Sequence, residues 1–506
     1  MDLLMGIDLG STSLKAIIYN TEGNAVASGS RRTEKRCPDA DHPDWAVWLP
    51  EEIWGGVADA CRDAIGQIDD PNQIRGVAVT GMGMDGLPIN ETGEWLYPMI
   101  SWHDPRTGPQ HTWWLENITA EKTFGIAGNP VWAINSALRM LWIKENEPEI
   151  YTKTHKWLLI EDFLNFMLCG RAVTDHSMAS CTMLFDQRTR GWSTEMIDAA
   201  GINSEILCEI QTSGTPIGEV SAAAAERTGL AEGTPVVLGG HDHLCGALPV
   251  GVFEPGTVLN VTGTWETVIA PSAEPVLKEE LRQSGMTIQA HVARDRHTTW
   301  GGNVAADMLE WYRREYGAAA QQKADADGSD IWRHLMNDAD AAQPGADGVL
   351  FLPHMSGVTC PVVDDQSRGA FVNLTNRTTA GDMTRALIEG LNYQTLDIVT
   401  AMEDGLGVSL DRLIGVGGVT RNEFWMQNKA DVMGRPVEVP DVEEATPLGA
   451  AILAGIGVGL FADERDALER VYRPGRTYQP REEISAVYEK RFPAYRQLYA
   501  ALKAVR

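Results

Sequence analysis

The sequence has no excess of positive charge, no long apolar run and no paired cysteine motif, and each gap excludes a class of protein. Lys and Arg number 42 against 70 Asp and Glu, a formal charge of −28. That balance offers no clustered cationic surface for nucleic acid or an anionic membrane. It does not exclude a nucleotide, whose phosphates backbone amides and one metal ion can hold. No window reaches the ~20 apolar residues that cross a bilayer; the most apolar, 448–461, is short and interrupted by glycines. Asp2 stands where a secretory leader needs basic residues. The seven cysteines include no C-x-x-C, a pattern suited to reduced thiols and to neither disulfides nor a structural zinc. A soluble cytoplasmic protein, free of nucleic acid and membrane, is expected. There is also no G-x-x-x-x-G-K-[ST], so a P-loop is absent.

Length and glycine are what the chain has in plenty. Its 506 residues exceed one core, since domains run to ~100–200 residues. Gly is 50 of them, about 10% against a usual ~7%, and the surplus gathers in turns. Strands and helices alternate, an α/β pattern. The chain opens on Leu3 to Leu9, a Gly/Ser/Thr turn, Leu14 to Tyr19 and a Glu22-Gly23-Asn24 turn: an antiparallel meander, unlike a βαβ opening. A similar strand, Gly-Thr turn and strand recurs over 256–269. Two halves, 1–246 and 247–506, with a duplicated architecture and a cleft between them are expected. The Ala-, Asp- and Gln-rich stretch 318–347 reads as a weakly ordered surface excursion.

Five glycine clusters carry the candidate chemistry. Asp8-Leu9-Gly10-Ser11-Thr12-Ser13 sets a carboxylate at a strand end before small residues whose amides can surround an anion, with Lys15 just beyond. Asp8 suits Mg²⁺ held through water. Gly263-Thr264 gives a matching turn in the second half. Gly239-Gly240-His241-Asp242-His243 follows an apolar strand and presents Asp242 as a base able to take a hydroxyl proton; its two histidines also raise a metal site, though no third ligand is identifiable. Gly417-Gly418 before a helix allows a flat ring to lie on backbone, with Asn422 as cap or base contact. Gly81-Met82-Gly83-Met84-Asp85-Gly86 fits the G-x-G-x-x-G of a dinucleotide site, with Asp104 downstream. That motif needs a helix at its third glycine, and Leu87-Pro88-Ile89-Asn90 continues as strand and turn instead.

In order and spacing these stretches resemble the FGGY carbohydrate kinases, over nearly the whole chain. Supporting stretches are Trp102-His103-Asp104-Pro105-Arg106, 174–180, Leu352-Pro353-His354 to Gly357, 430–437 and 445–451. The resemblance implies two actin-like domains of the ribonuclease H type and an ATP- and Mg²⁺-dependent kinase acting on a hydroxyl of a small sugar or polyol. It makes Asp8, Gly10, Ser11 and Thr12 the first phosphate loop, with Lys15 near the phosphates. Gly263 and Thr264 become the second loop, Gly417, Gly418 and Asn422 the adenosine motif, and Asp242 the base. Where xylulose kinases read Gln-Met-His and glycerol kinases Gln-Arg-Glu, this chain has the Gly81–Gly86 glycines, so Met84 and Asp85 are expected at the acceptor. Trp102, Asp104, Arg106, Asn135 and His243 are expected with them. A homodimer is implied by the resemblance alone. Two other readings stay open from sequence: a catalytically silent sugar and nucleotide sensor, and an NAD-dependent oxidoreductase built on Gly81–Gly86.

Overall fold

A computed structural model describes residues 2–263 and 265–505. Apolar runs with tight turns give the first sheet: β1 (Leu3–Leu9), β2 (Ser13–Asn20), β3 (Ala25–Arg32), β4 (Ile74–Gly81), β5 (Pro216–Glu219) and β6 (Pro235–His241). They lie in the order β5-β6-β4-β1-β2-β3, with β1, β2 and β3 an antiparallel meander and β1, β4 and β6 parallel. The second sheet holds β7 (Thr257–Thr262), β8 (Trp265–Ser272), β9 (Thr287–Ala290), β10 (His297–Val304), β11 (Arg412–Val416), β12 (Val437–Val439) and β13 (Arg476–Tyr478). Its order is β9-β10-β8-β7-β11-β12-β13, again a meander flanked by two parallel strands and one antiparallel strand. Apart from the extra β9, the second sheet repeats the first in order and polarity, as the duplicated hairpins predict.

Alternation along β1 shows how the layers stack. Leu3, Met5, Ile7 and Leu9 point into a core with Ile53, Trp54 and Val57 of the Pro50–Ile65 helix. Leu4, on the other face, joins Ala78 and Val237 of its own sheet and Leu259, Ile269 and Ile414 of the second. Two helices fill this inter-sheet core: Asp242–Ala247, directly after β6, and Ala445–Gly457, after β12. Glycine permits the contact, because a Cβ on Gly6 would stand 1.9 Å from Pro447 O and one on Gly449 1.9 Å from Cys245 O. A helix from the second half of the chain is therefore seated on the first sheet, and residues of both sheets share the core around it.

Two expectations change here. The 318–347 stretch is no loose excursion: it folds as the helices Ala318–Asp327 and Ile331–Ala341, and Ile331, Leu335, Met336 and Ala339 are buried. After Gly81 the chain enters a short strand, Gly86–Ile89, with no helix whose N-terminus could meet a pyrophosphate, which removes the dinucleotide reading.

Candidate active site

Register brings the first-domain motifs together. Leu9 of β1 lies beside Gly81 of β4, and Gly81 beside His241 of β6. The turn after Asp8, the Met82–Met84 segment and Asp242 thus emerge side by side at the carboxyl ends of parallel strands, where α/β sheets place their ligands. They border a cleft of about 550 Å³ with Ser11, Met84, Trp102, Asp242 and His243 on its first-domain side. Trp265, Thr267, Trp300 and Thr359 of the second half face them.

Asp242 opens its helix, and its side chain is a third exposed. Its Oδ1 accepts the His243 amide at 2.6 Å and lies 3.4 Å from His243 Nδ1 and 3.6 Å from His241 Nε2. Burial pushes its pKa up, but the His243 ring and amide and His241 outweigh that, and the net shift is below the ordinary value. Asp8 behaves oppositely. Burial first, then the charge of Asp242, lifts its pKa from 3.8 to about 8 against the pull of Lys15. Lys15 itself is paired, its Nζ 2.7 and 2.8 Å from the Glu444 carboxylate oxygens, so its charge is shared with the residue before the Ala445–Gly457 helix. With the nearest ammonium engaged by Glu444, the Asp8 carboxyl is left as an oxygen donor that fits Mg²⁺.

The Met82–Met84 segment is held under strain. Gly83 has no room for a side chain: a Cβ would meet His241 Nε2 at 2.7 Å and Cys181 Sγ at 2.8 Å. Met84 adopts φ +80°, a left-handed conformation rare for a side-chain-bearing residue. Its carbonyl accepts from Ser136 Oγ at 2.7 Å and Arg139 Nη1 at 2.6 Å, which holds it there.

Four residues expected at the acceptor do not reach the cleft. Asp85 is fully buried, accepting from Trp48 Nε1 at 2.7 Å and ion-paired with buried Arg139 at 3.2 Å; burial raises its pKa to about 6 despite that partner. Asp104 and Arg106 spend their charges on each other at 2.7 and 2.8 Å, with both side chains inaccessible. The guanidinium lies 4.0 Å from the Trp45 ring centroid and 4.9 Å from that of Trp142. Asn135 is buried, its Oδ1 taking the Trp132 amide at 2.8 Å and its Nδ2 lying 3.5 Å from Met84 Sδ. These residues build the wall behind Met84. Trp102 and His243 do line the cleft, and among the described residues His243 Nε2, though buried, has no hydrogen-bond partner.

In the second half, β7 ends next to β11, with Val261 paired to Val416, so the turn at Gly263 and the Gly417-Gly418 turn adjoin. Thr264 lies outside the described residues. Gly417 has φ +105° and packs on Thr262, where a Cβ would meet its carbonyl at 2.4 Å. Asn422 caps the Glu423–Met433 helix, accepting from the Trp425 amide at 3.1 Å. Beside it opens a cavity of about 750 Å³ lined by Gly418, Asn422 and Phe424, and by Trp332 and Met336 of the Ile331–Ala341 helix. Sequence reading missed this helix wall. It also missed Trp132, Ile134, Thr267, Trp300 and Thr359 at the cleft beside Asp242, because nothing local marks a residue that becomes important only by facing another domain.

The chain matches the family model for the N-terminal domain of the FGGY carbohydrate kinases over residues 3–249 and that for the C-terminal domain over 258–458. It is 30% identical to the L-fuculokinase of Escherichia coli K12, covering 96% of this chain and 99% of that protein. It is 27% identical to the xylulose kinase of Bacillus subtilis, covering 99% and 98%. The solved xylulose kinase of Rhodospirillum rubrum superposes with a TM-score of 0.89 at 26% identity, covering 99% of each chain. With two sheets of repeated topology, a cleft between them and both domain models matched in sequence, the chain belongs to the FGGY family of carbohydrate kinases, which transfer a phosphoryl group from ATP to a sugar or polyol.

Proposed function

We propose that the acceptor is a small neutral ketose, with 6-deoxyketoses preferred, and that Asp242 takes the proton of its attacking hydroxyl. The make-up of the cleft carries this reading. Trp102, Trp132, Trp265, Trp300, Met82 and Met84 line it, and no Lys or Arg is among its described lining residues. A sugar acid would bring a carboxylate with no counter-ion, whereas indole faces pack on C–H surfaces and on a methyl terminus. Asp242, its side chain a third exposed, supplies a hydrogen-bonding group at one end. The sugars in the names of the two curated relatives are neutral ketoses, and one of them, L-fuculose, is a 6-deoxy sugar.

The chemistry asks little of the base. The transition state of phosphoryl transfer is loose, so alignment and charge stabilisation dominate. A carboxylate with a lowered pKa is fully ionised at neutral pH; it orients the hydroxyl and receives its proton as the bond to phosphorus forms. The turn at Ser11 and Thr12, which the Gly10 amide closes by donating to the Ser13 carbonyl, and the turn at Gly263 would take the phosphates from the two domains, and the cavity beside Gly418 would take the adenine. Asp8 would hold Mg²⁺, through water, and that ion would neutralise charge on the transferring phosphoryl group.

The test is an acceptor panel read by ADP release. A 6-deoxyketose is expected to exceed its hydroxylated counterpart in kcat/KM by ~10–200-fold, the range one methyl-sized difference supports in a hydrophobic pocket. Gluconate accepted as well as any neutral ketose would overturn the substrate class.

A further inference from the structure

His241 is buried beside Asp242, and its ring orientation is set from the other domain. On its far side its Nδ1 lies 2.7 Å from Gln289 Nε2 and 3.5 Å from Cys181 Sγ. Gln289 belongs to β9 and Trp300 to β10, both in the second sheet. The orientation of the Gln289 amide follows from its other partners. Trp300 Nε1–H can only donate, and it meets Gln289 Oε1 at 3.2 Å. The Ser177 carbonyl can only accept, and it meets Gln289 Nε2 at 2.8 Å. The amide N–H therefore points at His241 Nδ1, which must be the unprotonated nitrogen. In a neutral imidazole the proton then sits on Nε2, the atom that faces Asp242 Oδ1 at 3.6 Å. Burial, which drives the His241 pKa down to about 3, keeps the ring neutral.

We infer that Gln289, held by Trp300, is a positioning residue for phosphoryl transfer: it fixes His241 as the Nε2–H tautomer, so that this N–H faces and aims the Asp242 carboxylate. The inference rests on Asp242 being the base. At 3.6 Å the contact is electrostatic, and it aims the carboxylate without a hydrogen bond. Trp300 also lines the acceptor cleft, so the base in the first domain is oriented only when the second domain is seated correctly. The same tautomer leaves Nε2 without a free lone pair, so the cluster His241, Asp242 and His243, whose ligand atoms lie within 4.8 Å of one another, does not act as a three-ligand metal site.

Gln289→Glu reverses the polarity at Nδ1, because a carboxylate accepts there and draws the proton to that nitrogen. The test is ¹⁵N NMR of protein labelled at histidine, with the His241 signals assigned by their loss in His241→Gln, alongside steady-state kinetics. Wild type is expected to carry its proton on Nε2 and Gln289→Glu on Nδ1. In that variant kcat is expected to fall by ~10–100-fold, the usual effect of misorienting a catalytic group through its neighbour, while the KM for ATP is unchanged. Gln289→Met, which only removes the constraint, should give mixed tautomers and a smaller loss, and it serves where the Glu variant does not fold. A wild-type ring protonated on Nδ1 overturns the inference, as does an altered tautomer with kcat unchanged. Parallel losses in kcat and in ATP affinity with the tautomer unaltered also overturn it. Near-normal turnover in Asp242→Asn would instead overturn the base assignment, and is read separately.

Discussion

Asp242 and Asp8 stand at the ends of β6 and β1, with β4 between them, yet their environments drive their pKa values apart, down for the first and up to about 8 for the second. In the proposed function that divergence separates a base ready at neutral pH from a carboxyl waiting for a cation. Asp242→Asn is expected to lower kcat by ~10²–10⁴ with nucleotide affinity little changed, since the amide keeps the shape and loses the proton acceptor; coupled-assay kinetics with nucleotide titration check both halves. For Asp8 the raised pKa means that a proton competes with metal. Affinity for MgADP should therefore rise with pH until about 8 and then level, with proton release below that pH visible as a buffer-dependent heat in calorimetry. Asp8→Asn should bind more weakly and lose that slope. Without metal the sign is reversed for folding: the stabilisation from a carboxyl whose folded pKa is raised is present below its ordinary 3.8 and is lost as pH rises through about 8. The residue type and strand-end position of both aspartates were legible in sequence. The status of Asp85, Asp104 and Arg106 was not, because a charged residue beside a glycine cluster looks the same whether it meets substrate or a buried partner such as Arg139.

At the scale of elements, the turn at Gly263 rests on a buried ion pair. Lys429, in the Glu423–Met433 helix, has no exposed side-chain surface and puts its Nζ 2.5 Å from Glu266 Oε1 and 3.2 Å from Thr262 Oγ1, with Asn260 as a further partner. Thr395, in the Ala380–Leu406 helix, donates to the same Glu266 oxygen at 2.7 Å. Two helices thus pin both arms of the β7–β8 hairpin. Lys429→Met leaves Glu266 buried without a counter-charge and is expected to cost about 3–5 kcal/mol in urea denaturation, while Lys429→Met combined with Glu266→Leu recovers most of it. A single variant as stable as wild type would show the pair to be dispensable. The hairpins themselves were readable, because short apolar runs around a Gly-Ser-Thr and a Gly-Thr turn need only local rules. The 318–347 segment was misread because Ala, Asp and Gln mark a solvated face equally well in a loop or a helix, and its buried Ile331, Leu335 and Met336 matter only once the second sheet is there to receive them.

At the scale of the whole molecule, acceptor recognition depends on how the two sheets are held, since the cleft has Trp102 on one side and Trp265 and Trp300 on the other. Trp265 begins β8 just after the Gly263 turn, and 46% of its surface is exposed. An indole so open at a cleft mouth has apolar surface still to bury, and a sugar that bridges the domains would cover it. Acceptor alone is therefore expected to shift tryptophan emission to the blue and to reduce the radius of gyration in solution scattering. Acceptor with ADP should add to both, because closure also brings the phosphate turns together. Trp265→Ala should lose most of the emission change and raise the acceptor KM by about 10–100-fold, the equivalent of one large apolar side chain's burial, while the KM for ATP stays near wild type. Closure also excludes water from the γ-phosphate, so the variant should hydrolyse ATP without transfer in a larger fraction of turnovers. If acceptor binds with unchanged scattering and the variant keeps its coupling of ATP use to sugar phosphorylation, the site is complete in one domain and the second serves only to hold nucleotide.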